Sequence, residues 1–186
     1  MSVTQRAACL GLVLGAGLFV AAYAPAGDIV RSKTFFNLAD SVRGYLSLDA
    51  ETGTPEVAAS SGIEESGTFW ELRAIGRHRG YRVHMLVNRG NNRFNDMFLA
   101  VDEQTGELTM SDDRDAEETK WLVRYAGYFQ GYDAYYVQLL GETAGGYDLS
   151  FLSVDENGKV VLQRDPSDAI HWRMRPTPSL PSQVIR

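Results

Sequence analysis

Three tryptophans recur along this chain at a single interval. Trp70, Trp121 and Trp172 are 51 residues apart in each case (121 − 70 and 172 − 121), and each begins a Trp-x-x-Arg tetrad. Upstream of each lies one motif: an aromatic residue, Leu, a small residue, an aliphatic residue and Asp, followed by a turn with Gly. The three copies are YLSLDAETG (45–53), FLAVDEQTG (98–106) and FLSVDENG (151–158). A fixed period of this length indicates repeated units that stack around a shared core.

Each repeat contains four short segments with the pattern of a β-strand. In the first motif, alternation places Leu46 and Leu48 on one face and Asp49 on the other. Asn157-Gly158 indicates a tight hairpin, because these residues tolerate positive φ. Many short strands joined by Gly, Asn and Asp turns predict an all-β sandwich or barrel. The predicted strands are 34–39, 45–49, 56–60, 69–75, 81–87, 98–102, 107–111, 120–125, 134–140, 150–155, 159–163 and 171–175.

The repeated [YF]-L-x-[LV]-D…G…W pattern resembles the β-trefoil superfamily over about residues 33–175. Within that superfamily it is most similar to fascin-like and ricin B-type lectin-like repeats. The resemblance implies an all-β fold, a β-trefoil of three four-stranded repeats of about 51 residues each, preceded by one N-terminal hydrophobic segment. It further implies that six strands close a barrel and that three hairpins cover one end.

The chain departs from the ricin B-type pattern at two places. Those repeats end in Gln-x-Trp, whereas the residue two before Trp is here Thr68, Thr119 or Ile170. Those lectins also carry a sugar-binding Asp directly after the first Leu of the motif. That position is here occupied by small side chains, namely Ser47, Ala100 and Ser153. The usual galactose site is therefore not recognisable, and in this respect the pattern is closer to fascin-like repeats, which often serve protein–protein contacts.

Composition excludes several classes of protein. The 186 residues suffice for one domain with a real core, and a net charge of −6 argues against a nucleic-acid partner. The single Cys9 cannot form an internal disulfide or a thiolate metal cage. The three histidines lack carboxylates at metal-ligand spacing, and no catalytic motif occurs. We therefore expect no metal, no cofactor and no catalytic residues, and hence a protein that is not an enzyme.

The N-terminus is apolar. Residues 7–26 contain no charged side chain, and Ala24-Pro25-Ala26 fits the small-x-small rule of a signal-peptidase site. The same stretch is just long enough to span a bilayer. We expect residues 1–26 to be a signal peptide or an N-terminal membrane anchor, residues 27–176 the trefoil domain and residues 177–186 a C-terminal tail. The protein would be secreted or extracytoplasmic, or a single-pass membrane protein with the trefoil on the noncytoplasmic side.

The repeated residues are predicted to be structural. Trp70, Trp121 and Trp172 are expected to fill equivalent positions in the core. The motif aspartates, at the mouth of each turn, are expected to accept backbone N–H bonds within it. A binding site is therefore expected among the residues that the repeats do not share.

Two segments, GRHRGY (76–81) and GYFQGY (127–132), match when one repeat is shifted by 51 residues. They share both Gly residues and the final Tyr, but the three residues between the two Gly are different. We interpret them as loops between repeats, where function commonly resides. The predicted ligand-binding residues are Tyr128, Phe129 and Tyr132, with Arg77 and Arg79 as a second contact. The basic segment belongs to a wider group of arginines, Arg73, Arg77, Arg79, Arg82, Arg89 and Arg93.

Two functions remain open. The first is a non-catalytic β-trefoil binding module, exported or membrane-tethered, that recognises a glycan or a protein surface. The second is a structural accessory subunit of a membrane protein complex, anchored by the N-terminal helix and associated with the membrane through residues 7–26. The mature N-terminus would distinguish them, because only the second requires the apolar segment to be retained.

Overall fold

A computed structural model shows a β-trefoil and describes residues 33–38, 43–60, 66–141, 146, 148–167 and 169–176. The all-β prediction and its three four-stranded repeats are confirmed. The strands are β1 (Lys33–Asn37), β2 (Tyr45–Leu48), β3 (Pro55–Ala58), β4 (Trp70–His78), β5 (Tyr81–Asn88), β6 (Phe98–Val101), β7 (Leu108–Ser111), β8 (Trp121–Phe129), β9 (Tyr132–Leu139), β10 (Phe151–Val154), β11 (Val160–Gln163) and β12 (Trp172–Pro176). Short 3₁₀ turns at Ser66–Thr68 and Glu117–Thr119 precede the first two tryptophans.

Six strands form a closed barrel. Strand β1 pairs with β4, β4 with β5, β5 with β8, β8 with β9, β9 with β12, and β12 returns to β1, all antiparallel. The other six form the hairpins β2–β3, β6–β7 and β10–β11. Each hairpin is joined to the barrel by a short pairing, of β1 with β2, β5 with β6 and β9 with β10. We call the end covered by these hairpins the cap end, and the opposite end, where β4–β5 and β8–β9 turn, the tip end.

The core follows the threefold repeat. Trp70, Trp121 and Trp172 have no exposed surface and belong to one buried cluster with the leucines of the three motifs. Each indole N–H donates to the carbonyl oxygen of the Leu in its own repeat. The three bonds are Trp70–Leu46 at 3.0 Å, Trp121–Leu99 at 2.9 Å and Trp172–Leu152 at 2.9 Å. Each bond ties a cap hairpin to the start of a barrel strand.

The motif aspartates act in their own turns. Asp49 Oδ1 accepts the backbone N–H of Glu51 and Thr52, and Asp102 Oδ1 accepts those of Gln104 and Thr105. The third member, Asp155, likewise accepts two backbone N–H bonds, from Asn157 and Lys159. These bonds hold the pKa of Asp49 and of Asp102 below its ordinary value. The turn role predicted for these carboxylates is confirmed.

The chain enters and leaves the barrel from the tip end. Strand β4 runs from the buried Trp70 towards its turn after His78, and β1 runs antiparallel to it, with Lys33 opposite Trp70. Strand β12 is antiparallel to β1 and therefore runs towards the tips. The two hairpins β4–β5 and β8–β9 thus share the tip end with the first and last strands.

The predicted signal or anchor segment, residues 1–26, and the predicted tail, residues 177–186, lie outside the described residues. Within the described part of the chain, no helix has the length and apolar character needed to cross a bilayer.

Candidate functional site

Residues 76–81 and 127–132 were predicted to be loops, and that prediction was wrong in extent. Strand β4 continues to His78 and β8 continues to Phe129, so both segments belong mainly to paired strands. We call β4–β5 the basic hairpin and β8–β9 the aromatic hairpin, after the side chains near their tips. Their register is fixed by pairing, which holds four of the predicted binding residues on paired strands, whereas Arg79 lies in the turn.

Each connection is a two-residue turn. Arg79 and Gly80 have φ of 46° and 89°, and Gln130 and Gly131 have φ of 49° and 85°. Positive φ at both central residues defines a type I′ turn, whose twist matches that of the flanking strands. Gly adopts this conformation freely, whereas Arg79 and Gln130 hold it at a cost of about 1 kcal/mol.

A β-bulge bends each hairpin a few residues before its tip. The pairing register shifts between Ala74 and Gly76 in the basic hairpin and between Tyr125 and Gly127 in the aromatic hairpin. Gly127 has φ of 120°. Bulges increase the local twist and redirect the side chains beyond them, so strand alternation alone does not predict which way the tip residues face.

Strand pairing defines the two faces of the aromatic hairpin. Tyr135 lies opposite the buried Trp172, so side chains that share its face continue the inner side of the barrel. Directly paired residues of antiparallel strands lie on the same face. The inner face therefore carries Tyr125, Tyr128, Asp133 and Tyr135, and the outer face carries Phe129, Tyr132 and Tyr136.

The inner face is an exposed tyrosine surface. Tyr125 and Tyr128 are 61% and 73% exposed. The Tyr125 hydroxyl donates to Asp133 Oδ1 at 3.3 Å, and its ring meets Tyr135 edge-on with centroids 5.7 Å apart. Desolvation, and then the Asp133 charge, raise the pKa of Tyr125, so its hydroxyl stays protonated at neutral pH. Tyr125 was missed by the sequence reasoning because the predicted strand simply ended there.

The outer face is packed against β12 and against His171, the residue that precedes it. Phe129 stacks on His171 with centroids 4.9 Å apart and an interplanar angle of 18°, and Tyr136 lies 4.8 Å from the same imidazole. The Arg173 guanidinium covers the Tyr132 ring at 3.6 Å. Burial lowers the pKa of His171, so this ring is neutral at pH 7. Phe129 and Tyr132 therefore each present one ring face to a protein neighbour, unlike Tyr128.

The basic hairpin carries arginines where the aromatic hairpin carries uncharged or acidic groups. Arg77 lies directly opposite Arg82, and Arg79 occupies the turn. The Arg77 guanidinium donates to the Gly80 carbonyl at 3.3 Å. The same face continues to His84, whose pKa is lowered by burial and, next, by the charge of Arg82. In the described part of the chain, none of the ion pairs involves these three arginines.

The wider arginine group does not form one cluster. Arg73 and Arg89 both donate to the Glu71 carboxylate, and Arg89 also pairs with Asp96. Burial favours a higher pKa for Glu71, but the arginine hydrogen bonds outweigh it and leave that pKa below its ordinary value. Arg93 stacks over its neighbour Phe94. These three arginines are committed to structure, unlike those near the tip of the basic hairpin.

The two hairpins are neighbours around the barrel. Strands β5 and β8 pair at Val83–Leu122, and the Arg124 guanidinium lies over the Tyr81 ring at 5.1 Å. Of the seven exposed large apolar or aromatic side chains in the described residues, six lie on these hairpins: Ile75, Tyr81, Tyr125, Tyr128, Phe129 and Tyr132. The structure thus brings Phe129 and Tyr132 to one face, places Tyr128 on the other, and sets Arg77 and Arg79 on the adjacent hairpin.

The cap end has two polar depressions that the sequence did not indicate. A cavity of about 300 Å³ lies between the three cap hairpins and is lined by Thr54, Glu107 and Lys159 among others. A second, more open one of about 680 Å³ lies beside β6–β7 and is rich in carboxylates, including Asp102. Asp102 is already engaged in its own turn. In the part of the chain that the structure describes, no three His, Cys, Asp or Glu side chains gather as a metal site.

Comparison with known proteins shows the fold. No family model and no curated protein matches this chain. Among solved structures, SeviL bound to asialo-GM1 saccharide aligns with a TM-score of 0.53 and 13% identity, over 77% of this chain and 96% of that one. The Polyporus squamosus lectin, bound to the human-type influenza-binding epitope Neu5Acα2-6Galβ1-4GlcNAc, aligns with a TM-score of 0.53 and 14% identity, over 78% of this chain and 49% of that one.

A third similar structure is the GlcNAcα1-4Gal-releasing endo-β-galactosidase from Clostridium perfringens. It aligns with a TM-score of 0.52 and 12% identity, over 78% of this chain and 32% of that chain. This chain therefore spans about half the length of the lectin and about a third of the galactosidase. At this level of identity the likeness establishes the β-trefoil and leaves the choice between fascin-like and ricin B-type repeats a prediction.

Proposed function

We propose that this protein is a non-catalytic carbohydrate-binding module whose site is the inner face of the aromatic hairpin. One observation carries the proposal, namely the concentration of exposed aromatic side chains on two neighbouring hairpins at the tip end. Exposed apolar groups gathered on one surface commonly mark a ligand site. The saccharides bound in two structures of the same fold support the choice of ligand class.

The chemistry of the inner face suits a sugar. The electron-rich faces of Tyr125 and Tyr128 can receive the weakly positive C–H groups of a pyranose ring. Asp133 can accept hydrogen bonds from sugar hydroxyls, and the tyrosine hydroxyls can both donate and accept. Because Tyr125 already bonds to Asp133, the carboxylate and the ring are held in a defined relative position. Phe129 and Tyr132, packed on β12, would stabilise the hairpin and present only their remaining ring faces.

The test is binding of the purified protein to a glycan array, followed by titration calorimetry with the best oligosaccharide. Tyr125→Ala and Tyr128→Ala should each weaken binding at least tenfold, which corresponds to about 1.4 kcal/mol. Leu149→Ala is the matched control, because Leu149 is exposed but lies beside Leu139, at the end of β9 opposite the hairpin tip. The proposal fails if the array shows no ligand, or if the double tyrosine variant binds as tightly as the control.

The proposal includes a location outside the cytoplasm, reached through residues 1–26. The apolar stretch 7–26 and the small residues at 24–26 support export or tethering. Intact-mass measurement of the native protein separates the two forms. A chain beginning near Gly27 indicates a secreted module, whereas a chain that retains Cys9 indicates a membrane-tethered one and would favour an accessory-subunit role.

A further inference from the structure

We infer that the ligand is an acidic glycan, one that carries carboxylate or sulfate groups, and that the arginines of the basic hairpin bind those groups. This inference rests on the proposed function, because it assigns the sugar rings to the aromatic hairpin. It adds a second contact surface and a class of ligand to that proposal.

The first support is local charge. The protein is acidic, with 18 Lys and Arg against 24 Asp and Glu. The basic hairpin nevertheless carries four arginines and one carboxylate, Glu71, and that carboxylate already receives Arg73 and Arg89. A local group of positive charges on a protein of negative net charge attracts anionic ligands to that part of the surface. Guanidinium groups suit planar or tetrahedral oxyanions, because they can donate two parallel hydrogen bonds.

The second support is the unfavourable placement of these arginines. Arg77 and Arg82 are directly opposed across the hairpin, and like charges in that relation destabilise paired strands. Arg79 adopts a φ of 46° that favours Gly or Asn. The repeat shows that the fold does not require these side chains. The equivalent positions of the aromatic hairpin hold Tyr128, Gln130 and Asp133 on the same backbone geometry.

The third support is adjacency. Arg124, on the outer face of the aromatic hairpin, stacks over Tyr81 of the basic hairpin, so the two hairpins are in contact. Arg77 and Arg82 occupy the positions that Tyr128 and Asp133 hold in the aromatic hairpin, so they lie on the inner side as well. Arg173 extends positive charge to Tyr132 on the far side of the aromatic hairpin. A linear acidic oligosaccharide can therefore lay sugar rings on the tyrosines while its acid groups reach the arginines.

A polynucleotide offers the alternative combination of anionic backbone and stacking bases. The structure favours a glycan, because Asp133 lies within the tyrosine surface, where it can accept hydrogen bonds from sugar hydroxyls. The net charge of −6 also opposes the many phosphate contacts of a nucleic acid.

The experiment compares ligands that differ only in charge. Polygalacturonate and its methyl ester test carboxylate recognition, dextran sulfate and dextran test sulfate recognition, and single-stranded poly(dT) tests the polynucleotide. We expect at least tenfold tighter binding to one acidic polymer than to its neutral partner, and a steep loss of that affinity between 50 and 500 mM NaCl, concentrations chosen to bracket the onset of strong screening.

Two variants test the arginines. Arg79→Asn should weaken binding to the acidic polymer about tenfold while raising the thermal midpoint, because Asn tolerates the turn conformation better than Arg. Gln130→Asn is the matched control, since it makes the same turn change without removing a charge. It should raise the midpoint and leave binding unchanged. Arg82→Gln provides a second loss of charge outside the turn and should weaken binding similarly.

The outcomes separate this inference from the proposed function. Equal binding to charged and neutral polymers, or unchanged binding by Arg79→Asn and Arg82→Gln, overturns the inference even if Tyr128→Ala abolishes binding. Loss of binding in the arginine variants with none in the tyrosine variants keeps the anionic contact and overturns the aromatic site. Absence of binding to either acidic polymer, or equally tight binding to poly(dT), overturns the acidic-glycan assignment.

Discussion

Replacing one repeated tryptophan by phenylalanine should show how strongly each cap hairpin depends on the barrel. In Trp121→Phe the indole N–H is removed and the buried Leu99 carbonyl, which accepts it at 2.9 Å, loses that partner. A buried acceptor left unsatisfied costs about 1–3 kcal/mol. The smaller ring also buries fewer carbon atoms in a site with no exposed surface, which adds roughly 1–2 kcal/mol. The expected total is about 2–5 kcal/mol.

The assay is urea unfolding followed by far-ultraviolet circular dichroism, with thermal melting as a second measure. For a domain of this size the loss corresponds to a drop of roughly 5–20 °C in the melting midpoint. Trp70→Phe and Trp172→Phe should lose similar amounts, because each indole makes the same bond to its own repeat. Tyr128→Phe, at an exposed position, should change stability by less than about 0.5 kcal/mol.

A loss below about 1 kcal/mol in Trp121→Phe would refute the reasoning, because neither the hydrogen bond nor the packing would then matter. A loss confined to one of the three variants would refute the equivalence of the repeats. An unchanged slope of free energy against urea is also required, since a changed slope would mean that the unfolded or folded ensemble itself had altered.

The remaining predictions concern backbone strain, charge in turns and a partly buried ion pair. Gly127→Ala should lower the free energy of unfolding by about 1–2 kcal/mol, because Gly127 has a φ of 120°. Gly76→Ala, at the equivalent bulge and with equally open space for a Cβ, should be neutral or slightly stabilising. Equal losses of stability for the two variants in melting experiments would contradict this. Asp102→Asn should lower stability at pH 6 but less so at lower pH. Because the folded-state pKa of Asp102 is depressed, the stability that its carboxylate contributes is present above the unfolded-state pKa of about 3.9 and is lost as pH falls through the folded-state pKa. A stability difference between Asp102→Asn and the parent protein that does not vary with pH would exclude this charge effect. Glu71→Ala should cost roughly 2–3 kcal/mol, because the Arg89 side chain is only 11% exposed; strictly additive losses for Glu71→Ala and Arg89→Ala in a double-mutant cycle would show that the two are not coupled.

The architecture could be predicted because it depends on features that repeat. The Trp interval and the Leu-x-aliphatic-Asp motif specify core positions and turn positions three times, and agreement among the copies outweighs local ambiguity. All twelve strands were placed, with errors at their ends. Asp155, for example, reads as a turn residue both in the sequence and in its hydrogen bonds.

The tip end was harder to predict because its geometry depends on backbone conformations that the residue types in the sequence do not indicate. Arg79 and Gln130 are unusual at positive φ, so the type I′ turns looked like longer loops. The bulge after Tyr125 interrupts the alternation that would assign Tyr125 and Tyr128 to a face. Contacts to β12 and to the residue before it, such as that of His171 with Phe129, join residues far apart in the chain and have no local signal.

The direction in which β1 leaves the tip end has a consequence for geometry at a membrane. Strand β1 begins at Lys33, and only residues 27–32 separate it from the apolar stretch. Six residues span at most about 20 Å when fully extended. If the apolar stretch were retained in a bilayer, this short connection would keep the tip end close to that membrane, and the proposed glycan site would face the surface to which the protein is attached. A form released after Ala26 would not be held in one orientation relative to a membrane, so the proposed site could meet ligands from any direction.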